Sequence, residues 1–203
     1  MKIICIGWNY IDHVVELGHK IPEQPLFFLK PDSSILQRNR PFFIPSFSQE
    51  INYEVELLIK IGKLGKCIQE KYAHTYYDEI GLGIDFTARD LQRECIKNGQ
   101  PWEKAKSFDS SAVISHFVKK EVFKDIYDIH FSLFKNGEKV QQGNSGKMIF
   151  SIDKIISFVS QFMMLKIGDI IFTGTPSGVG KVIINDRLQG YIEDELFFDF
   201  KIK

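Results

Sequence analysis

The 203-residue sequence predicts a mainly β protein with a few helices, an α+β chain whose sheet closes or folds over on itself, and three observations carry that prediction. Short apolar runs rich in Ile, Phe or Val recur along the chain, several of them bounded by Gly or Pro. Asn136-Gly137 in KNGEKV sits between two apolar runs as a type I′ hairpin turn. Only three segments hold a helical period, too few to cover both faces of a doubly wound sheet.

In chain order, the expected strands run from Lys2 to Ile6, Leu26 to Leu29, Glu54 to Ile61, Ile80 to Asp85, His130 to Lys135, Ile170 to Thr173 and Leu196 to Ile202. The expected helices run from Tyr10 to Leu17, Ala88 to Asn98 and Ile152 to Met164. The last is the clearest: Ile152, Ile155, Ile156, Val159 and Met163 fall on one stripe behind a Ser151 N-cap, and the stripe reads as core. No linker, repeat or charge block divides the chain, so residues 1–203 read as one domain.

Composition narrows the partners. Lys and Arg number 26, Asp and Glu also 26, and a formal net charge of +0 offers no field for a nucleic-acid backbone or an anionic membrane. A small-molecule partner is the better expectation. The three cysteines, Cys5, Cys67 and Cys95, lack C-x-x-C spacing and fit reduced cytoplasmic thiols. The apolar run in MKIICIGWNYIDH is too short for a signal h-region, and IISFVSQFMML is shorter than a membrane span.

Two phosphate motifs fail on inspection. TGTPSGVGK has Thr175 and Val182 where a Walker A loop needs Gly and Ser or Thr, and GLGIDF has Phe86 where a dinucleotide fingerprint needs its third glycine.

NYEVEL places Glu54 and Glu56 two apart on a strand, on one face with Cβ atoms roughly 7 Å apart, within reach of one hard divalent cation. A solvated strand face fits the same alternation. GIDFTARD adds Asp85 at a strand end, with Thr87 and Asp90 resembling a capping box; Asp85 serves either the helix dipole or a metal. In GWNYIDHVVELGH, an Asn9 cap would put His13 and Glu16 at i and i+3, either a surface pair or a base oriented by an acid. Lys106 in AKSFDSS and Lys30 in FFLKP read by default as exposed lysines. His19, His74, His116 and His130 carry no further pattern.

Taken in order, GWNYIDHVVE, FFLKP, NYEVEL, GIDFTARDLQ, WEKAKSFD, GNSGKMIFSI and GDIIFTGTPSGVG resemble the fumarylacetoacetate hydrolase family, specifically its short members, from about Gly7 to about Asp186. The resemblance implies a mixed β-roll, a homodimer and a divalent metal, commonly Mg²⁺ or Mn²⁺, sometimes Ca²⁺. It implies Glu54, Glu56 and Asp85 as metal ligands, His13 with Glu16 as the dyad, and Lys106 as the lysine on a bound oxo acid. Further substrate contacts would fall on Arg89, Gln92, Thr175 and Lys30. The leading expectation is hydrolytic C–C cleavage of a 3-acylpyruvate or related 1,3-diketo acid. The alternative is decarboxylation of oxaloacetate, or tautomerisation and isomerisation of unsaturated oxo diacids; a silent oxo-acid-binding homologue is a third. Two positions depart from the family pattern: Lys147 adds a charge before M-I-F, and Trp8 stands where G-x-N-Y is commonly polar or basic.

Overall fold

Thirteen strands form among the described residues, which are 1–16, 18, 20–37 and 40–203 of the computed structural model. β1 (Ile3–Gly7), β2 (Leu26–Lys30), β4 (Val55–Ile61), β5 (Tyr77–Asp85), β7 (Ala112–Lys119) and β10 (Ile170–Phe172) make a six-stranded sheet ordered β2-β1-β10-β4-β5-β7. β1 and β10 run parallel, and the other neighbours are antiparallel. β3 (Ile51–Tyr53), β6 (Thr87–Ala88) and β11 (Gly180–Lys181) form a small sheet ordered β11-β3-β6. Two hairpins, β8 (His130–Lys135) with β9 (Glu138–Asn144) and β12 (Arg187–Ile192) with β13 (Glu195–Lys201), pair through β8 and β12 into the third, ordered β13-β12-β8-β9. The helices are α1 (Ile11–Glu16), α2 (Glu70–Ala73), α3 (Arg89–Lys97), α4 (Glu103–Lys106) and α5 (Ile152–Phe162). The mainly β expectation is the fold observed, and no described helix is long and apolar enough to cross a membrane.

Core strands explain themselves. All three residues of β10 and all but Lys60 of β4 are buried, as the apolar runs of strands covered on both faces require. α5 lays Ile152, Ile155, Ile156 and Val159 into the core, and Ser151 Oγ accepts the Lys154 N–H at 3.2 Å. The helix stops before the expected Met164 because Met163 is extended, at φ −141° and ψ 147°. Asn136 and Gly137, at φ 55° and 87°, make the expected hairpin turn between β8 and β9.

The strand expected from Glu54 to Ile61 begins one residue later, and that break shapes the site. β3 and β4 lie in different sheets, with Glu54 at the corner between them. The partner chain segment turns the same corner: Asn52 pairs with Thr87 in the small sheet, and Val55 with Ile84 in the large one. At the corner the Asp85 N–H donates to the Glu54 carbonyl at 2.9 Å, and buried Phe86 stacks on Phe42 with ring centroids 4.0 Å apart.

Two expected caps are corrected. α3 starts at Arg89, and Thr87 and Asp90 form no capping box: the Thr87 hydroxyl faces Lys106, while Asp90 accepts from Ser48 Oγ at 2.6 Å and the Gln49 N–H at 2.8 Å. Asn9 does not cap α1, because its amide donates to the Phe150 and Thr173 carbonyls and its oxygen accepts the Phe150 N–H. Those three bonds fasten the start of the chain to two distant loops. Leu17, the expected end of that helix, and His19 lie outside the described residues.

Candidate active site

Glu54, Glu56 and Asp85 are 4%, 2% and 1% exposed, so NYEVEL presents no wet face; Ile51 through Ile59 are buried without a break. The corner explains how. Glu54 sits where the chain leaves one sheet, Glu56 lies within β4, and Asp85 ends β5 beside them. One oxygen from each carboxylate lies within 4.8 Å of the other two.

Carboxylates this deep need partners. Lys106 Nζ lies 2.6 Å from Glu54 Oε2, 2.8 Å from Asp85 Oδ2 and 2.6 Å from Thr87 Oγ1. Arg89 Nη2 donates to Glu54 Oε1, and Nη1 donates to Gln92 Oε1 at 2.5 Å, which sets the guanidinium plane. Glu56 accepts the Gly174 N–H at 2.6 Å. Lys30 Nζ stands 2.8 Å from Asp85 Oδ1, but its hydrogens go to the Lys106 carbonyl and to Ser111, leaving Asp85 Oδ1 without a hydrogen bond among the described residues.

These contacts set the charges. Burial opposes ionisation of Glu54, yet Lys106 and Arg89 outweigh it and hold the carboxyl well below the usual range. Burial, reinforced by Asp85 and then Glu54, pushes Glu56 well up. Burial also disfavours the Lys106 ammonium, but Asp85 and Glu54 prevail and raise its value. Three buried carboxylates with one crowded toward its neutral form, and one oxygen lacking a donor, fit a hard divalent cation. Glu54, Glu56 and Asp85 are the residues that would hold it.

His13 is buried on α1, with Nδ1 3.1 Å from Glu16 Oε2. Burial pushes the imidazole below its ordinary value, against the opposing pull of Glu54 and Glu16. Glu16 is partly exposed and its other oxygen accepts the Gly178 N–H at 3.0 Å, so the dyad is tied to the TGTPSG loop.

His13, Glu54, Glu56, Asp85, Arg89, Gln92, Lys106 and Thr175 line one cavity. Lys30 does not line it; it lies behind Asp85, 2% exposed. Sequence reasoning missed Gln141, whose amide oxygen accepts the Val55 N–H at 3.0 Å and whose nitrogen donates to Thr175 Oγ1 at 2.9 Å, bracing β4 against the TGTP loop. It also missed Phe28 and Trp102, which line the cavity with Trp8. A roomier cleft of about 300 Å³ between Leu36, His116 and Phe198 holds, among the described residues, no comparable group of converging acids and bases, so size does not locate the chemistry.

The sequence profile described as fumarylacetoacetate (FAA) hydrolase C-terminal matches residues 2–196. The chain belongs to the fumarylacetoacetate hydrolase family. Within it, the chain is 43% identical over 202 residues to the mitochondrial oxaloacetate tautomerase FAHD1 of Bos taurus, covering 100% of this chain and 91% of that one. It is 43% identical over 182 residues to the mitochondrial oxaloacetate decarboxylase of Dictyostelium discoideum, covering 89% of this chain and 84% of the relative. The crystal structure of fumarylpyruvate hydrolase from Pseudomonas aeruginosa in complex with Mn²⁺ and pyruvate is similar at a TM-score of 0.94 and 32% identity, covering 100% of this chain and 89% of that one. The family thus accounts for the mixed β-roll, and a metal-bound member stands among its solved structures.

Proposed function

We propose that this protein is a divalent-metal-dependent enzyme that interconverts the keto and enol forms of a 2-oxo acid. Decarboxylation would draw on the same enolate. This reverses the order expected from motif resemblance, which put acylpyruvate hydrolysis first: the relatives' names support the tautomerase and decarboxylase alternatives more directly.

The carrying observation is the balance of the buried charges. Glu54, Glu56 and Asp85 stand against Lys30, Lys106 and Arg89. A divalent cation held there, which would draw Glu56 into its ionised form, would leave two positive charges in excess, a match for a substrate carboxylate and the negative charge of an enolate. When bound, Mg²⁺ or Mn²⁺, with Ca²⁺ a weaker candidate, supplies positive charge that lowers the cost of enolate character.

The chain's own groups do the rest. His13, neutral because burial lowers its value, takes a proton from the carbon beside the carbonyl, and Glu16 steadies the resulting imidazolium. The same imidazole returns that proton to oxygen, completing keto to enol; the steps reverse for enol to keto. Lys106 places an ammonium where negative charge gathers. Arg89, whose Nε has no hydrogen-bond partner among the described residues, offers a donor to the substrate carboxylate, with Gln92 and Thr175 beside it.

The test is keto–enol exchange of oxaloacetate followed by enol absorbance, with Mg²⁺ or Mn²⁺ and with chelator. Chelator-sensitive acceleration supports the proposal, and no acceleration with any 2-oxo acid overturns it. Hydrolysis of an acylpyruvate is the second reading, supported by the His13–Glu16 contact, which suits activation of water, and by the likeness to a fumarylpyruvate hydrolase.

A homodimer forms part of the proposal, supported by exposed Phe43 and Phe47 beside Phe108, and light scattering checks it. Cysteine usage favours a cytoplasmic setting, whereas the two relatives carry "mitochondrial" in their names; cell fractionation separates these placements.

A further inference from the structure

The acid cavity is about 20 Å³ in all, space for a bare cation or one water, so a 2-oxo acid of any length extends beyond it. A second cleft of about 360 Å³ adjoins it. Arg89 and Gln92 line both, and Glu50, Asn52, Arg93, Ile96, Lys97 and Val179 complete the outer one. The roomy clefts at Leu36 and at Phe43 share no residue with the acid cavity.

Helix geometry gives the outer cleft its direction. Arg89, Gln92, Arg93, Ile96 and Lys97 recur at i, i+3, i+4, i+7 and i+8, which is one face of α3. That face runs from the arginine that holds Glu54 to Lys97, about 12 Å along the helix axis.

The cleft offers polar groups that the fold leaves unused. Asn52 is 6% exposed, and β3 fixes its backbone between Thr87 on one side and Lys181 on the other. Its side-chain oxygen is nevertheless buried without a hydrogen-bond partner among the described residues. A buried amide left unmet is costly, so its place in the lining of a cleft points to a ligand that supplies the missing bond. By a half-turn it presents either its oxygen or its NH₂. The charges of the cleft do not cancel either. Arg89 is taken by Glu54 and Arg93 by Glu50, the latter at 2.5 Å, whereas Lys97 has no ion pair among the described residues. Ile96 and Val179 add apolar surface suited to a methylene chain.

We infer that this outer cleft is a subsite for the tail of the substrate, with Asn52 and Lys97 its recognising groups, and that it selects 2-oxo acids whose tail is extended and ends in a carboxylate. The inference rests on the proposed 2-oxo acid chemistry. It adds a chain longer than that of oxaloacetate, whose second carboxylate stands one methylene beyond the oxo carbon.

The test is calorimetric titration of the Mn²⁺-loaded protein with three inert mimics: oxalate, which is the head alone; N-oxalyl-6-aminohexanoate, the head with a long tail ending in a carboxylate; and the same compound with that carboxylate replaced by a primary amide. Oxalate binding supports the 2-oxo acid reading, and its failure overturns both that reading and this one. If oxalate binds, the carboxylate-ended mimic should bind about fivefold more tightly than its amide at low salt, the upper end for an exposed charge pair. Lys97→Gln should bring that ratio to about one, and so should high salt in the unaltered protein. Asn52→Ala removes a side chain that makes no bond, and should weaken both tailed mimics about tenfold while leaving their ratio near five. With oxalate bound, equal affinity for the two tailed mimics, or a preference that survives Lys97→Gln, would overturn the outer cleft as the tail subsite and leave the 2-oxo acid chemistry standing. Lys97 is exposed and unpaired, so its replacement tests the cleft even where Asn52→Ala fails to fold.

Discussion

The buried cluster and the Arg187–Asp199 pair use the same contacts to opposite ends. Arg187 grips Asp199 through two bonds, 2.8 Å to Oδ1 and 2.5 Å to Oδ2, on the surface of the four-stranded sheet. Lys106 holds Glu54 at 2.6 Å, but there both side chains are about 5% exposed or less. On the surface, water screens the pair and little stability follows from it. In the interior, desolvation offsets much of the attraction, so the cluster adds little net stability while its loss would be costly. The difference teaches that contact distance alone says nothing of purpose: the interior pair is retained at a site the fold could have filled with apolar residues.

Breaking the interior pair should give the largest effect. Glu54→Ala leaves Lys106 and Arg89 buried without their shared carboxylate, and we expect a loss of about 3–5 kcal/mol by denaturant unfolding. Cation-dependent thermal stabilisation should vanish with it. An unchanged midpoint and retained cation response would refute the metal-ligand role.

Next comes His13→Asn, which spares the pair. Turnover should fall about 10²–10⁴-fold while the melting temperature moves little. Because burial lowers the imidazole's value below its ordinary 6.5, the base form is available above that lowered value, and the rate should decline only as acid pH passes down through it. A decline already complete at pH 7 would contradict the assignment.

A smaller effect is expected at Gly174, whose N–H holds Glu56. Its φ is 102°, and a Cβ would stand 2.6 Å from the Asn9 Cβ. Gly174→Ala should cost about 1–3 kcal/mol of stability, measured by thermal unfolding. Full tolerance would mean that the TGTP loop is not clamped as described.

Asp199→Asn should have the least effect, under about 1 kcal/mol and smaller still in high salt. Its bond to Arg187 lowers the Asp199 carboxyl below the ordinary 3.8, so the small contribution is present above that pH and lost as pH falls through the lowered value. A salt-insensitive loss matching that of Glu54→Ala would erase the contrast.

Local pattern made some of this legible. The α5 stripe and the Asn136-Gly137 turn were readable because each depends on residues within a few positions of one another. Alternation brought Glu54 and Glu56 to notice but implied a half-wet strand, since it cannot show that the chain changes sheets at Glu54. The ordered motifs chose between solvent and metal. Gln141 escaped notice, and Asn9 read as a helix cap, because their bonds reach residues 86 and 164 positions away, and nothing in their neighbours announces such partners. Lys30 reads locally as an exposed strand end and by resemblance as a substrate contact, yet its ammonium is turned inward behind Asp85.

The corner at Glu54 also imposes an order of assembly. Glu54, Glu56 and Asp85 converge once β4 pairs with β5, an event within about thirty residues of chain. Glu16 meets its loop partner only when segments 162 positions apart close on each other. During refolding, cation uptake should precede recovery of turnover, and stopped-flow measurement of the two should reveal the second as a lag.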